Sequence, residues 1–207
     1  MPYPATLEAR LPAHFDRRQL LVRMVVLAVI GVLHQTAGGL LAALYLVLPV
    51  VVALLIVQKG GARFLSEDGR WLVSVLDWVM AVYAYLLFVT DRFPLPSSDK
   101  DVYVVVRPGQ PPTAARALFR LVTSLPHAFV LAVLGVVASV VGFIAALSIL
   151  VVERYPATLQ RFQRDVLSWM TRLFAYHAAL VEPYPPFLLG VSEEPPPRHD
   201  EPYAPPF

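Results

Sequence analysis

The chain has 207 residues, of which 57% are hydrophobic and 15% are charged, and it contains no cysteine. Because soluble domains carry about 25% charged residues, this chain has too little polar surface to cover a water-exposed globule. The composition therefore predicts a membrane protein. The lack of cysteine excludes disulfides, thiolate metal sites and iron–sulfur clusters. A net charge of +2 gives no indication of nucleic acid as a partner.

The chain opens with a strand-like segment, residues 5–11. The basic and apolar stretch that follows, residues 17–33, is expected to be an interfacial helix, with a full fifth span as the alternative. One helix over residues 24–57 would extend roughly 50 Å, which is longer than a bilayer core is thick. We therefore expect a break at residues 34–39, which are polar and contain glycine.

Four segments have the length and apolarity of membrane-spanning helices, namely residues 35–57, 71–90, 127–152 and 162–181. The second contains Asp77 and the fourth contains Arg172, so these two helices are expected to face protein rather than lipid. A linker with a short strand is predicted at residues 97–112. A disordered, proline-rich tail is predicted at residues 191–207.

The two halves of the chain can be superimposed at an offset of 91 positions. This offset aligns Arg63-Phe64 with Arg154-Tyr155, Trp78 with Trp169, and Ala84-Tyr85 with Ala175-Tyr176. The sequence therefore predicts a duplicated unit, with repeats at residues 1–96 and 113–190.

The predicted fold is an all-α integral membrane protein with four transmembrane helices. They form two parallel-repeat helical hairpins, each preceded by an amphipathic or interfacial helix and a short cytoplasmic β segment. A mild excess of Lys and Arg on one side favours both termini in the cytoplasm.

The second half carries a specific order of short motifs: Leu125-Pro126-His127, Arg154-Tyr155-Pro156, Trp169, Arg172, Ala175-Tyr176 and Glu182-Pro183-Tyr184-Pro185-Pro186-Phe187. In this order the motifs resemble a bacterial family of small membrane proteins known as domain of unknown function 4389. The first half matches less well. The resemblance implies a multi-pass protein of the bacterial inner membrane with tandem copies of one module, and it implies no known reaction.

A stripe of small side chains follows heptad spacing along the third predicted span: Ala128, Ala132, Gly135, Ser139, Gly142 and Ala146. Such a stripe lets two helices approach closely in a membrane, so it predicts a helix-packing seam. The alternative is that the small residues leave room for a lipid chain or a substrate.

Charged and histidine residues in the predicted spans suggest two further sites. Asp77 and Arg172 are expected to form a structural ion pair, with two separately solvated charges or a proton or ion relay as alternatives. His127 and His177 lie near the same end of the second hairpin, where a histidine pair can ligate haem. Their surroundings favour local hydrogen bonds, so no cofactor and no metal is predicted.

The sequence contains no P-loop, nucleophile elbow, zinc-protease or dinucleotide-binding motif. We therefore predict a protein that is not an enzyme. The expected function is a scaffold or accessory subunit that contacts membrane lipids and other membrane proteins. Residues 193–207 would then be a docking segment, with a solvated tail as the alternative. The competing function is a small transport or lipid-handling module that uses the groove between the repeats.

Overall fold

The computed structural model describes residues 3–95 and 101–190, except for the side chains of residues 30–44. The elements in chain order are β1 (Ala5–Ala9), α1 (Arg17–Lys59), α2 (Gly61–Arg63), a π-helical turn (Phe64–Asp68), α3 (Gly69–Leu86), β2 (Val102–Val106), α4 (Ala114–Thr123), α5 (Leu125–Val152) and α6 (Ala157–His177). The prediction of a mostly helical chain with short β segments is confirmed. The predicted tail lies outside the described residues.

Helix α1 is one helix of 43 residues, so the break predicted at residues 34–39 is wrong. Glycine weakens a helix by only about 1 kcal/mol per residue, which the rest of a long apolar helix can offset. The Asp16 side chain caps the helix start by accepting from the Arg18 N–H at 2.9 Å. The helix ends at Gly60, which has a φ of 81°.

Helices α4 and α5 are separated by a short break at Ser124. Thr113 caps α4, and Pro126 lies in the first turn of α5, where its missing N–H has no helical partner to lose. Helix α5 ends at Glu153, which takes the left-handed conformation with a φ of 56°. The chain then turns into α6.

Strands β1 and β2 form a two-stranded antiparallel sheet in which Ala5 pairs with Val106 and Ala9 with Val102. The side chains of β2 alternate in exposure, so that its inner face is buried, whereas β1 is mostly half-buried. The sheet covers α3 and α6, which pack against each other. Buried apolar side chains of the sheet and the two helices form the main core: Val102, Val104 and Val106 with Met80, Ala84, Leu167 and Ala175.

Helix α5 packs on α6 on the side away from the sheet. Its buried stripe is Ala138, Val141, Ala145 and Ile149. On the opposite side lies an exposed apolar stripe, in which each side chain is 44–72% exposed: Phe129, Val133, Val136, Val140, Phe143, Leu147 and Val151, with Val137 and Ile144 beside it. Helices α1 and α4 lie against each other and also expose large apolar side chains. We call the exposed surface of α1, α4 and α5 the apolar layer.

Among the described residues, only α5 is by itself long and apolar enough to cross a membrane. The pair Tyr45–Lys59 and Gly61–Leu86 passes the same test only when taken together, and it is bent by 118°. Of the four predicted spans, residues 127–152 correspond to α5, and four transmembrane helices are not supported. Helix α6 does not pass the test by itself, and it buries polar side chains such as Gln163 and Arg172.

Candidate functional site

A cavity of about 400 Å³ lies between α5 and α6. This volume falls within the range of small-molecule pockets. Most of its lining is apolar and comes from the two helices, including Leu131, Val166, Met170 and Leu173. Tyr83 of α3 and Tyr45 of α1 complete the wall, so the cavity is formed by both halves of the chain.

The predicted small-residue seam is divided between this cavity and a packed region. Ala128, Ala132, Gly135 and Ser139 line the cavity. A Cβ atom added at Gly135 would meet nothing within 4 Å, whereas one at Gly142 would lie 3.8 Å from Gln163 Nε2. Ala146 packs beside a buried cluster. The first four residues of the seam therefore leave space, which is the alternative that the sequence left open.

His177 closes one end of the cavity with a hydrogen bond to α1. Its Nε2 lies 2.8 Å from the backbone oxygen of Tyr45. In a regular helix this oxygen accepts from the N–H four residues later, but that residue is Pro49, which has none. Nε2 of His177 is therefore the donor. The His177 imidazole also stacks on the Tyr45 ring, with centroids 4.3 Å apart.

The other ring nitrogen of His177 is also engaged. Nδ1 lies 3.2 Å from Ser124 Oγ, so the serine hydroxyl is the donor when Nε2 carries the proton. The Tyr45 hydroxyl hydrogen-bonds to the same Ser124 oxygen. Burial lowers the pKa of His177, which keeps the imidazole neutral. With both nitrogens occupied, His177 has no free lone pair for a haem iron.

His127 belongs to a separate aromatic cluster. Trp169 Nε1 donates to His127 Nδ1 at 3.0 Å. The imidazole stacks on Phe187, with centroids 3.8 Å apart and an interplanar angle of 12°. The Tyr184 ring also lies against the imidazole, with centroids 4.8 Å apart. The segment after α6, residues 182–188, thus folds back over His127. We call it the proline segment.

Side-chain donors from two other parts of the chain hold the proline segment through its backbone oxygens. Arg172 Nη2 donates to the Leu188 oxygen at 2.6 Å, and Tyr3 donates to the Pro183 oxygen at 2.9 Å. Asp77 instead accepts from the Val104 N–H at 2.8 Å. Asp77 and Arg172 thus each have a backbone partner, because β2 lies against α3 while the proline segment lies against α6. The ion pair between them stays a prediction.

Two buried arginines, which the sequence reasoning did not identify as functional, cap the C-terminal ends of α3 and α6. Arg23 Nε donates to the Tyr85 oxygen at 2.9 Å, and Arg120 Nη1 donates to the Tyr176 oxygen at 2.6 Å. Each guanidinium also lies over the ring of its tyrosine, 4.3 and 4.6 Å from the centroid. The C-terminal end of a helix carries partial negative charge, so both contacts are favourable. Each carbonyl also accepts a backbone N–H, from Phe88 to Tyr85 and from Ala179 to Tyr176. In the sequence, the alignment of Tyr85 with Tyr176 was the feature that could have indicated these two contacts.

The residues around the cavity are mostly apolar. Ser124 and His177 have the residue types of a nucleophile and its base, but Ser124 is fully buried and does not line the cavity. Within the described residues, no group of three or more His, Asp or Glu side chains could hold a metal ion. What the arrangement offers is an apolar space with His177 and Tyr45 at one end.

Comparison with known proteins is consistent with the motif analysis. No curated protein and no solved structure matches the chain. Residues 114–188 match the sequence model of DUF4389, a domain of unknown function. This range contains α4, α5, α6 and the proline segment, and with them every motif quoted for the resemblance. The resemblance of this chain to the DUF4389 family is therefore confirmed over residues 114–188.

Proposed function

We propose that this chain is a non-enzymatic, lipid-handling membrane protein that holds an acyl chain in the cavity between α5 and α6. The observation that carries the proposal is the position of the cavity. Its lining is mainly apolar, and the lining residues Ala132 and Ser139 are exposed on α5 beside the apolar layer. An acyl chain could pass from the bilayer into this space without crossing water, so its burial in the cavity would cost little.

The apolar layer supports a membrane location. Soluble monomers rarely expose a contiguous apolar patch larger than a few hundred Å². Here α5 alone exposes apolar side chains along its whole length, with Phe129 at 72% near one end and Val151 at 70% near the other. The bacterial inner membrane is the location that the family resemblance implies.

Matching features at the ends of α3 and α6 support the proposal of a duplicated unit. Phe88 and Ala179 both have positive φ, at 59° and 58°, and they lie 91 positions apart. The same offset relates two edge-to-face ring pairs with centroids 5.3 and 5.7 Å apart: Tyr85 with Phe93, and Tyr176 with Tyr184. The cavity would then lie within the second repeat, with Tyr45 and Tyr83 of the first repeat completing its wall.

Scaffolding, the other function predicted from the sequence, has less support from the geometry. It was inferred from the small-residue seam and from the tail. Four of the six seam residues line the cavity, and residues 193–207 lie outside the described residues. Lipid handling is therefore the function that the described residues support better.

A cavity-filling substitution tests the proposal. Gly135→Leu places a side chain in the open space, and Val136→Leu, one position away on the exposed stripe, is the matched control. We expect binding of a fluorescent fatty acid to weaken at least about tenfold in Gly135→Leu, which corresponds to about 1.4 kcal/mol, and to stay unchanged in Val136→Leu. Equal binding by Gly135→Leu and the wild-type protein would show that the cavity does not hold the chain.

A further inference from the structure

We infer that the protein lies in one leaflet of the bilayer, with the axes of α5 and α6 parallel to the membrane plane, and does not cross the membrane. The docking surface is the apolar layer, and its partner is a phospholipid bilayer. The sheet lies on the opposite side of the molecule, in water. This inference goes beyond the proposed function, because it concerns orientation and does not depend on what the cavity holds.

The first step is that α5 and α6 run antiparallel along their full length. At one end Ser124 Oγ lies 3.2 Å from His177 Nδ1. In the middle Gln163 Nε2 donates to the Ala138 oxygen at 2.8 Å. At the other end Leu159 packs against the cluster that contains Ile149. The axes of α5 and α6 therefore make the same angle with the membrane plane.

The second step is that the sheet lies along the same direction. Tyr3, before β1, hydrogen-bonds to the Pro183 oxygen beyond the end of α6. Pro12, after β1, accepts from Gln160 Nε2 in the first turn of α6 at 3.4 Å. The segment containing β1 thus runs the length of α6. In the described part of the chain no third strand joins the sheet. On the outer edge of β2 the Val104 N–H is taken up by Asp77, whereas the outer edge of β1 has no strand beside it.

The third step asks whether the sheet can lie in hydrocarbon or must lie in water. Hydrocarbon does not tolerate an open sheet edge, because each unpaired N–H and C=O group there costs several kcal/mol. If α5 crossed the bilayer, α6 and the sheet would lie at the same depth as the hydrocarbon. The sheet must therefore be in water. The layered order of sheet, α6 and α5 then places α5 flat against the membrane surface, with its exposed stripe inserted into the leaflet.

The charges agree with this orientation. Exposed arginines lie near both ends of the apolar layer: Arg17, Arg18, Arg154 and Arg161 near the end of α5, and Arg63 and Arg116 near the start of α4. Basic residues at the rim of an apolar surface are attracted to acidic phospholipid headgroups. A flat orientation brings both groups to the headgroup level of the same leaflet.

Cysteine accessibility tests the orientation directly, because the chain has no cysteine of its own. Ala62→Cys and Ala157→Cys place exposed thiols at opposite ends of the helices, and Tyr103→Cys places one on the sheet. In sealed vesicles we expect a membrane-impermeant maleimide to label all three from one and the same side. Labelling of Ala62→Cys and Ala157→Cys from opposite sides would overturn the inference. Labelling in denaturant gives the total thiol for each variant.

Val136→Cys tests which molecule covers the apolar layer, since Val136 is 68% exposed. We expect protection from the impermeant reagent in intact vesicles and full labelling in denaturant. Labelling in intact vesicles as fast as that of Tyr103→Cys would mean that no bilayer covers this surface, and it would contradict the inference. Fatty-acid binding is measured separately with Gly135→Leu, so the orientation and the proposed function can each fail alone.

Discussion

The Nε2 atom of His177 lies 2.8 Å from the backbone oxygen of Tyr45, so α6 supplies the hydrogen bond that Pro49 removes from α1. A buried carbonyl without a donor costs about 1–3 kcal/mol. The contact therefore makes a proline tolerable inside a long helix, and it ties the first half of the chain to the second at the edge of the cavity.

This relationship predicts energetic coupling between Pro49 and His177. His177→Phe should destabilise the protein by about 1–3 kcal/mol, because the Tyr45 carbonyl loses its donor. In a Pro49→Ala background, the new N–H of residue 49 can donate to the same carbonyl, so His177→Phe should cost less. Thermal unfolding in detergent of the two single variants and the double variant measures the coupling. Costs that simply add would show that the two residues act independently.

The burial of His177 predicts a pH dependence of stability. Burial lowers the pKa of His177 from its ordinary value of 6.5. The unfolded chain therefore takes up a proton below pH 6.5 that the folded protein resists. The contribution of His177 to stability is present above that pH and is lost as the pH falls toward the lowered pKa.

His177→Gln is the matched variant, because its amide can donate to the Tyr45 oxygen without titrating. We expect the free energy of unfolding of the wild-type protein to fall relative to that of His177→Gln below pH 6.5. Each unit by which the pKa is lowered is worth about 1.4 kcal/mol. Taking the difference between the two proteins removes the contribution of other titrating groups. A difference that grows in favour of the wild-type protein on acidification would mean that His177 is charged when folded.

Much of the architecture could be predicted from the sequence because it depends on local patterns. The strands at residues 5–11 and 102–107 and the apolar helix at 127–152 follow from residue type and run length. The role of residues 162–181 could not be predicted in this way. A half-apolar helix fits either a membrane span or a protein interior, and only the sheet packed against α6 decides between them.

The candidate site was predictable only in part. The small-residue stripe from Ala128 to Ser139 was visible, but small residues can mark either close packing or open space. The choice depends on where Tyr45 and the α6 side chains lie. The partner of His177 was not predictable, because it is a backbone carbonyl 132 positions away. Only the orphaned carbonyl created by Pro49 gave a local indication.

The buried arginines predict a contrast between two positions on α4. Arg120 is 4% exposed and donates to the Tyr176 oxygen, whereas Arg116 has an exposed side chain paired with Glu182. Arg120→Met should cost about 1–3 kcal/mol, because it removes a buried, charge-assisted hydrogen bond to the Tyr176 oxygen, which then keeps only the Ala179 N–H as a donor. Arg116→Met should cost about 0–1 kcal/mol, as expected for an exposed ion pair. Unfolding midpoints of the two variants check this, and equal losses would contradict a capping role for Arg120.

Substitution by alanine is expected to have opposite effects on stability at Gly61 and at Gly135. A Cβ atom added at Gly61 would overlap the backbone oxygen of Pro112, whereas one added at Gly135 would meet nothing within 4 Å. Gly61→Ala must push the segment before α4 away from the turn after α1, at a cost of about 1–3 kcal/mol. Gly135→Ala should leave stability unchanged or raise it by up to about 1 kcal/mol, because alanine is the better helix former.

The comparison also tests how the two halves are joined, since Gly61 follows α1 and Pro112 precedes α4. Thermal unfolding of the two alanine variants in the same detergent measures the difference. If Gly61→Ala unfolds at the wild-type temperature, the close approach of these two backbones does not contribute to holding the halves together. If Gly135→Ala is the more destabilised of the two, the space beside Gly135 is filled, and the cavity is smaller than its lining residues indicate.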